Sequence, residues 1–375
     1  MVEIMEMVWE RARTDGLTFD APKPPKPITA PQSAIEHKLV DEGALTGKTV
    51  FVTGATGFLG SNLVGALARC GAKVRALVRD LSTVSPTLEK QATLIKGDVR
   101  DTEVIKEAVQ GVDIVYHCAA ITRNRVRWDV HYDVNVRASE ELFKAALAAG
   151  VKRVVHVSSV AIYGVRYPIK SGTVHETAPY ATDADKWGYY MLSKRDADKL
   201  ALRYAKEEGL PVSVLRLGIL YGPGRRAPGR GLLRMGLARF LIGNGKNRMP
   251  YTYISNAVDA VLLASVVPDA VGEAYNIVDE PQVSAHSVTK QNIKMTGARE
   301  VVVPIPPLLL GALASFFEWR SNNANANTPP PLTHFVVDSA VRDICYDTGK
   351  ARTELGWEPE VPLEVGLRAT LDSQG

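Results

Sequence analysis

One short passage narrows the fold more than any other: the β-branched run Thr49-Val-Phe-Val52 leads straight into Thr53-Gly54-Ala55-Thr56-Gly57-Phe58-Leu59-Gly60, and a helical segment, Ser61 to Cys70, follows. The glycines fall at G-x-x-G-x-x-G spacing. A glycine at the turn permits positive φ, the second lets backbone approach an anion, and the third allows close helix-to-strand packing. The helix N-terminus then faces the anion with free N–H groups. Three glycines out of 30 are weak evidence alone, but strand, loop and helix in this order make the first βα turn of a dinucleotide-binding unit that starts at Lys48. Gly54, Thr56, Gly57, Phe58, Leu59 and Gly60 are therefore expected to hold a pyrophosphate.

Short strand-like runs recur at Lys73–Val78, Ala92–Ile95, Asp113–Tyr116, Arg153–Val157 and Val212–Leu215, separated by helical segments that end at Gly71, Gly111, Gly150 and Gly209. This alternation predicts an α/β chain with a Rossmann-type doubly wound parallel sheet. Past residue 220 the alternation weakens, leaving a helix from Asn256 to Val266 and a strand from Ala274 to Val278. The expected organisation is an N-terminal extension with a Pro-rich linker (1–47), a dinucleotide-binding domain (48–220), and a smaller, interleaved C-terminal substrate-binding lobe (221–375). Prolines 22, 24, 25, 27 and 31 make the linker an extended spacer, and Met1 to Arg13 can form a short helix. Val301 to Phe317 is apolar but interrupted by Pro304, Pro306 and Pro307. It reads as a core or substrate-lid helix, with peripheral membrane contact as the alternative.

Forty-five Lys and Arg against 41 Asp and Glu leave a net charge of +4, which calls for no nucleic-acid partner. Cys70, Cys118 and Cys345 lie far apart and suggest neither a disulfide framework nor a metal site. Glu3, Glu6 and Glu10 occupy the stretch where a secretory leader would be basic and then apolar, so a cytoplasmic protein is expected.

At the end of the second strand, where NAD enzymes generally carry an acid for the ribose hydroxyls, this chain has Arg79. A guanidinium there pairs with a 2′-phosphate, which favours NADP, while the adjacent Asp80 keeps NAD possible. Asp98 and Val99, after the third strand, fall where the adenine should lie. Tyr190 and Lys194 stand at i and i+4, on one helix face. A phenol is a sluggish acid at neutral pH, and a neighbouring ammonium favours its ionised form, so Tyr190 can act as general acid or base. A second Tyr-x-x-x-Lys, Tyr346 to Lys350, contains a glycine unsuited to a helix interior and lies past the last expected sheet strand; it reads as coincidence. Ser158 and Ser159 end the fifth strand, where carboxyl ends line the ligand crevice, and Ser159 is chosen as the hydroxyl that binds the substrate oxygen. No metal is expected.

Together these residues resemble the extended short-chain dehydrogenase/reductase family, part of the epimerase/dehydratase superfamily, from about Lys48 to the C-terminus. Further similar segments are His117-Cys-Ala-Ala120, Asp133-Val-Asn135-Val, Ala161-Ile-Tyr163-Gly164, Leu215 to Gly224, and Gly243 to Arg248. The resemblance implies that Ala119 and Ala120 line the cofactor, that Lys194 and Tyr190 also contact it, and that Leu217 and Ile219 lie near the nicotinamide. Leu217 replaces the family's usual proline and is expected to loosen that loop. Within the family, Tyr253-Ile-Ser-Asn256, Arg79 and the C-terminal segment from Pro330 to Trp357 resemble the 3β-hydroxysteroid dehydrogenase and dihydroflavonol reductase-like branch. That implies an NAD(P)-dependent oxidoreductase acting on a secondary alcohol or ketone of a largely apolar small molecule, expected as a homodimer. Arg225, Arg226, Arg230, Arg234, Arg239, Lys246 and Arg248, with no acid from Leu217 to Val258, keep a nucleotide-sugar epimerase or dehydratase as the alternative. A non-catalytic dinucleotide-binding partner protein is a third.

Overall fold

The structure, a computed structural model, describes residues 43–123, 126–165, 172–182, 187–225, 227–228, 237–323 and 328–374, and the backbone of 233–235. The proline-rich spacer, the Met1–Arg13 helix, and Arg226 and Arg230 of the basic run lie outside the described residues.

From the first strand the chain alternates β1 (Thr49–Thr53), α1 (Phe58–Arg69), β2 (Lys73–Val78), α2 (Pro86–Gln91), β3 (Thr93–Lys96), α3 (Thr102–Ala108) and β4 (Ile114–His117). A helical turn at Trp128–His131 and a π-helical turn at Tyr132–Arg137 run into α4 (Ala138–Ala148), followed by β5 (Arg153–Ser159), β6 (Gly172–Val174), α5 (Tyr189–Glu207) and β7 (Val212–Leu217). Local chemistry starts several of these helices. Ser85 Oγ accepts from the Leu88 N–H (3.2 Å) ahead of Pro86, and Asp101 Oδ1 accepts from the Val104 N–H (3.3 Å).

The remaining elements are β8 (Ile219–Tyr221), β9 (Leu233–Met235), β10 (Ala238–Ile242), β11 (Tyr251–Tyr253), α6 (Ile254–Val266), β12 (Ala274–Ile277), α7 (Ala285–Thr296), β13 (Val301–Ile305), α8 (Pro307–Asn323), α9 (His334–Val341), β14 (Ile344–Tyr346), α10 (Gly349–Leu355) and α11 (Leu363–Asp372). Seven strands form one parallel sheet in the order β12-β7-β5-β4-β1-β2-β3. The order reverses between β1 and β4, and this switch point opens a crevice at the strands' carboxyl ends.

Strand residues alternate between two apolar layers. Val50, Val52, Val155 and Leu215 pack with Leu63, Val64 and Leu67 of α1 and Val258, Val261 and Leu262 of α6. Phe51, Val154, Val212 and Val214 pack on the other face with Leu142 and Phe143 of α4 and Tyr204 of α5. Each such side chain contributes about 1.5–3 kcal/mol, and Phe51→Ala would cost about 3–5 kcal/mol through the cavity it leaves.

Three smaller sheets carry the rest: β13-β10-β9, β11-β8 and β14-β6. Here the structure departs from the expectation of one helix over Val301–Phe317. Val301–Ile305 is a strand paired parallel to Ala238–Ile242, and the helix begins only at Pro307. The prolines explain the split, because neither Pro306 nor Pro307 has an N–H to carry a helix ladder, and proline suits a helix's first position. Past residue 300 there are also further strands, so the Tyr346–Lys350 pair sits at the end of β14 and the start of α10 rather than beyond all sheet structure. Its residues share no helix, and Lys350 pairs with Glu273.

Candidate active site

The turn after β1 is shaped by backbone crowding. Gly54 has φ +70°, and a Cβ there would come within 2.8 Å of the Ala119 nitrogen; a Cβ on Gly60 would lie 2.1 Å from the Gly54 carbonyl oxygen. Neither position accepts a side chain while the loop stays folded over β4. Gly57 caps α1 with no side-chain hydrogen bond, and Thr56 and Gly57 are exposed at the crevice. The helix therefore turns uncapped N–H groups toward the switch point, which fits a pyrophosphate. Phe58 and Leu59 themselves are buried, so their contribution to an anion is main-chain.

Thr53 ties this loop to β4: its Oγ1 lies 2.8 Å from His117 Nδ1 and accepts from the Ala119 N–H at 3.2 Å. Ala119 and Ala120 are half-buried at that point. Arg79 is exposed at the end of β2, and its charge helps hold the Asp98 carboxyl below its ordinary range. The larger cause is Arg100, which binds Asp98 in a fork at 2.8 and 3.1 Å. Val99 is buried. Asp80 is occupied in the turn that follows, accepting from the Ser82 N–H (3.0 Å) and the Ser82 hydroxyl (2.7 Å).

Leu217 does not loosen its loop. It is 3% exposed, pairs with Ser159 and Ile277 in the sheet, and is followed by Gly218 donating to the Ile277 carbonyl (3.0 Å) and Ile219 to the Pro250 carbonyl (2.6 Å). Sheet pairing on both sides supplies the rigidity that a proline would otherwise give. Ile219 is 46% exposed beside it.

The structure brings Ser159 to the Tyr190 hydroxyl and Lys194 to the carbonyl of Val157, two residues before Ser159 on β5. Burial pushes the Tyr190 phenol up, and a hydrogen bond with Ser159 pulls it partly back. Lys194 is buried and donates from Nζ to the Val157 carbonyl at 2.5 Å. Burial lowers it to about 8, against the opposing pull of Asp198. The acidification of Tyr190 expected from the neighbouring ammonium does not appear: burial moves the phenol the other way. Ser158 faces the opposite way, donating to Asp198 at 2.6 Å, as alternation along β5 requires.

Around the start of α5 the packing is aromatic and apolar. Tyr189 packs against Trp128, Trp187 and His131, with ring centroids 5.9, 6.0 and 6.4 Å apart. Phe335 of α9 closes on Gly188, where a Cβ would lie 2.8 Å from its ring, and joins Met191, Leu192, Ala161 and Trp128 in one cluster. The described arginines of the basic run are engaged. Arg248 binds Asp343 in a fork (2.8 and 3.0 Å), Arg239 is buried against Glu300, and Arg225 stacks over Phe58 at 4.8 Å. Asn256 is wholly buried, donating to Asp279 (2.9 Å) and clasping the backbone of Val361, so it holds the C-terminal segment rather than a ligand.

Sequence reasoning missed the supporting groups. Asn135 binds the Ile121 backbone through both its oxygen (2.7 Å) and its nitrogen (3.0 Å) and donates to Ser193 (2.9 Å), which donates to the Tyr190 carbonyl (2.9 Å). Ser139 links Asn135 to His117. Asp198 was visible in principle, one helical turn beyond Lys194 on the same face. The aromatic packing at the start of α5 was not, since its members come from positions 128, 187, 189 and 335.

The sequence profile of the NAD dependent epimerase/dehydratase family matches residues 50–278, more than half of the chain. The chain is 30% identical over 323 residues to a 4-hydroxy-2-methyl-3-oxo-4-farnesyl-3,4-dihydroquinoline-1-oxide ketoreductase of Stigmatella aurantiaca, covering 85% of this chain and 94% of that one. It is 27% identical over 355 residues to 3beta-hydroxysteroid-dehydrogenase/decarboxylase isoform 2 of Arabidopsis thaliana, covering 88% of this chain but spanning only 62% of that relative. Among solved structures, MoeE5 in complex with UDP-glucose and NAD superimposes with a TM-score of 0.66 at 27% identity, over 87% of this chain and 98% of that one. UDP-glucuronic acid 4-epimerase from Bacillus cereus, in complex with NAD, shares the fold with a TM-score of 0.68 at 22% identity, over 87% and 98% of the two chains. With its glycine loop at the switch point of a parallel sheet and the profile match across that sheet, the chain belongs to the NAD dependent epimerase/dehydratase family.

Proposed function

We propose that the protein is an NADP-dependent oxidoreductase that moves hydride between the nicotinamide and a secondary alcohol or ketone of a largely apolar molecule. The observation that supports this reading is the aromatic and aliphatic packing at the start of α5, next to Tyr190 in the chain: Trp128 against Tyr189, and Phe335 against Gly188 and the buried Met191. A sugar diphosphate needs hydrogen-bonding and cationic groups instead, and the Arg248 fork is committed to Asp343. The ketoreductase and hydroxysteroid dehydrogenase names among the relatives agree with it.

Gly54, Thr56, Gly57 and the N-terminal N–H groups of α1 would hold the pyrophosphate, Arg79 the 2′-phosphate, Asp98 and Val99 the adenine edge, and Ala119, Ala120, Leu217 and Ile219 the nicotinamide end. Bound there, the dinucleotide supplies or accepts the hydride. Ser159 donates its hydroxyl to the substrate oxygen, and Tyr190 gives that oxygen its proton in reduction, or takes it in oxidation. Lys194 supports the phenolate left behind and binds the adjacent ribose. The aromatic packing at the start of α5 excludes water from the reacting carbon. The preference for NADP rests on the exposed Arg79 guanidinium and on Asp80 being spent in its own turn.

The outer lobe fits the same reading. No helix among the described residues is long and apolar enough to cross a membrane, yet α8 exposes Leu308 (84%), Leu309 (60%), Phe316 (47%) and Trp319 (62%). Such a face suits peripheral contact with a lipid interface from which an apolar substrate is drawn. The epimerase/dehydratase reading stays as the second, favoured by the likeness to MoeE5, whose structure holds UDP-glucose and NAD. Purified protein decides between them: NADPH oxidation with a panel of apolar ketones supports the first. Tightly retained NAD, micromolar binding of uridine diphosphate and no NADPH oxidation would replace it with the second.

A further inference from the structure

A buried ion pair lies directly beneath the candidate catalytic set. Asp198 is 0% exposed and Arg216 2%, and the carboxylate receives four hydrogen bonds. Oδ2 accepts from Ser158 (2.6 Å) and Arg216 Nε (3.1 Å), while Oδ1 accepts from the Tyr180 hydroxyl (2.8 Å) and Arg216 Nη2 (2.8 Å). Arg216 reaches on to the Tyr163 hydroxyl (2.8 Å) and the Glu176 carbonyl (2.7 Å). Burying two charges is poor value as stabilisation, since apolar side chains of similar volume often do as well. The location points to a different role. Ser158 and Arg216 are partners across β5 and β7, and Asp198 lies one turn past Lys194 on α5. Ser158 sits between Val157, whose carbonyl receives Lys194, and Ser159, which meets Tyr190.

Taking the catalytic assignment of Ser159, Tyr190 and Lys194 above as its basis, we propose that Asp198 is a positioning residue, which through Ser158 and Arg216 fixes the end of β5 against α5 so that Ser159, Tyr190 and Lys194 meet in reacting geometry. Because side chains alternate along β5, anchoring Ser158 downward to Asp198 aims Ser159 upward at Tyr190. The same carboxylate acts on Lys194. The other titratable groups that interact with that ammonium are His117 at the end of β4, Cys118 just after it and His156 on β5. Burial drives His117 down to about 3 and His156 well below its usual value, and pushes Cys118 up to about 12. Burial thus favours the neutral form of each, and the carboxylate near Lys194 is that of Asp198, held by Arg216.

The test uses the full chain with Asp198→Asn and Ser158→Ala, read three ways: the Lys194 titration midpoint by carbon-13 NMR of ε-labelled lysine, assigned with Lys194→Met; kcat and KM for NADPH with a reducible ketone; and melting temperature. Asp198→Asn should lower the Lys194 midpoint by about one pH unit and reduce kcat about 10- to 100-fold, with KM for NADPH nearly constant. Ser158→Ala keeps the ion pair and should reduce kcat about tenfold. A lower melting temperature with an unmoved Lys194 midpoint and wild-type kcat would mean the pair serves stability alone, and would overturn the proposal. If Asp198→Asn fails to fold, Ser158→Ala decides, wild-type kcat counting against it. Failure of the catalytic assignment itself shows separately, as turnover surviving in Tyr190→Phe, and the NMR arm does not depend on it.

Discussion

Two regions of the molecule take their shape by different means. In the nucleotide half, Gly54, His117, Ala119 and Ser159 sit at the ends of strands that are neighbours in the sheet, and backbone contacts such as Gly60 against Gly54 set the geometry. In the outer lobe, the shape comes from clasps between distant segments: Arg248 to Asp343, Asn256 to Val361, β6 to β14 and β10 to β13. The first kind of site tolerates little change because backbone has no rotamers. The second can be re-lined by exchanging side chains on segments that meet only in the fold, which is how one reaction centre serves many substrates.

The largest effect should come from Tyr190→Phe, which removes only the hydroxyl that meets Ser159. Turnover should fall about 10²- to 10⁴-fold, with dinucleotide affinity close to wild type by fluorescence titration. Activity that survives would shift the reaction away from this pair. Next comes Asp279, buried where the lobe joins the sheet, whose carboxyl burial pushes up to about 7 despite hydrogen bonds from Asn256 and the Tyr253 N–H. The fold favours its protonated form. Its contribution is therefore fully present below the unfolded value of 3.8 and is lost as pH rises through about 7. The difference is on the order of 4 kcal/mol. Melting temperature should fall over that window, and Asp279→Asn should lose this part of the slope whatever its absolute stability.

Arg79→Ala should weaken NADPH binding by about 1.5–3 kcal/mol while leaving NADH unchanged; equal losses would assign Arg79 to solvent. A glycine pair then compares the halves directly. Gly60→Ala should cost about 1–3 kcal/mol by overpacking the loop, and dinucleotide binding should fall with it. Gly311→Ala, in α8 with no atom near its Cβ position, should instead stabilise by about 0.5–1 kcal/mol. The smallest change is to the fold itself: Phe316→Ser with Trp319→Ser should leave melting and NADPH binding nearly unaltered but abolish co-sedimentation with lipid vesicles. Vesicle binding unchanged in that variant would remove α8 from any lipid contact.

Legibility from sequence followed the same division. The helix at Tyr189–Glu207, the β1 turn and the strands of the main sheet lie within a few residues of where periodicity and turn residues placed them. The interruption of Val301–Phe317 was visible as prolines, but the change from helix to strand was not, since Val301–Ile305 owes its form to pairing with residues more than 60 positions earlier. Likewise the basic run looked like a diphosphate site because its acids, Asp343 and Glu300, are remote in sequence.

By itself the sequence determined the βα alternation, the glycine loop at the first turn, and a tyrosine and lysine one helical turn apart, all of which depend on contacts within a few residues. Only the tertiary structure decided that Ser159 rather than Ser158 faces Tyr190, that Arg248 and Arg239 are already paired, and that Trp128, Tyr189 and Phe335 gather at the start of α5. These depend on side-chain direction and on segments up to about 200 residues apart, and no local propensity encodes which of them meet.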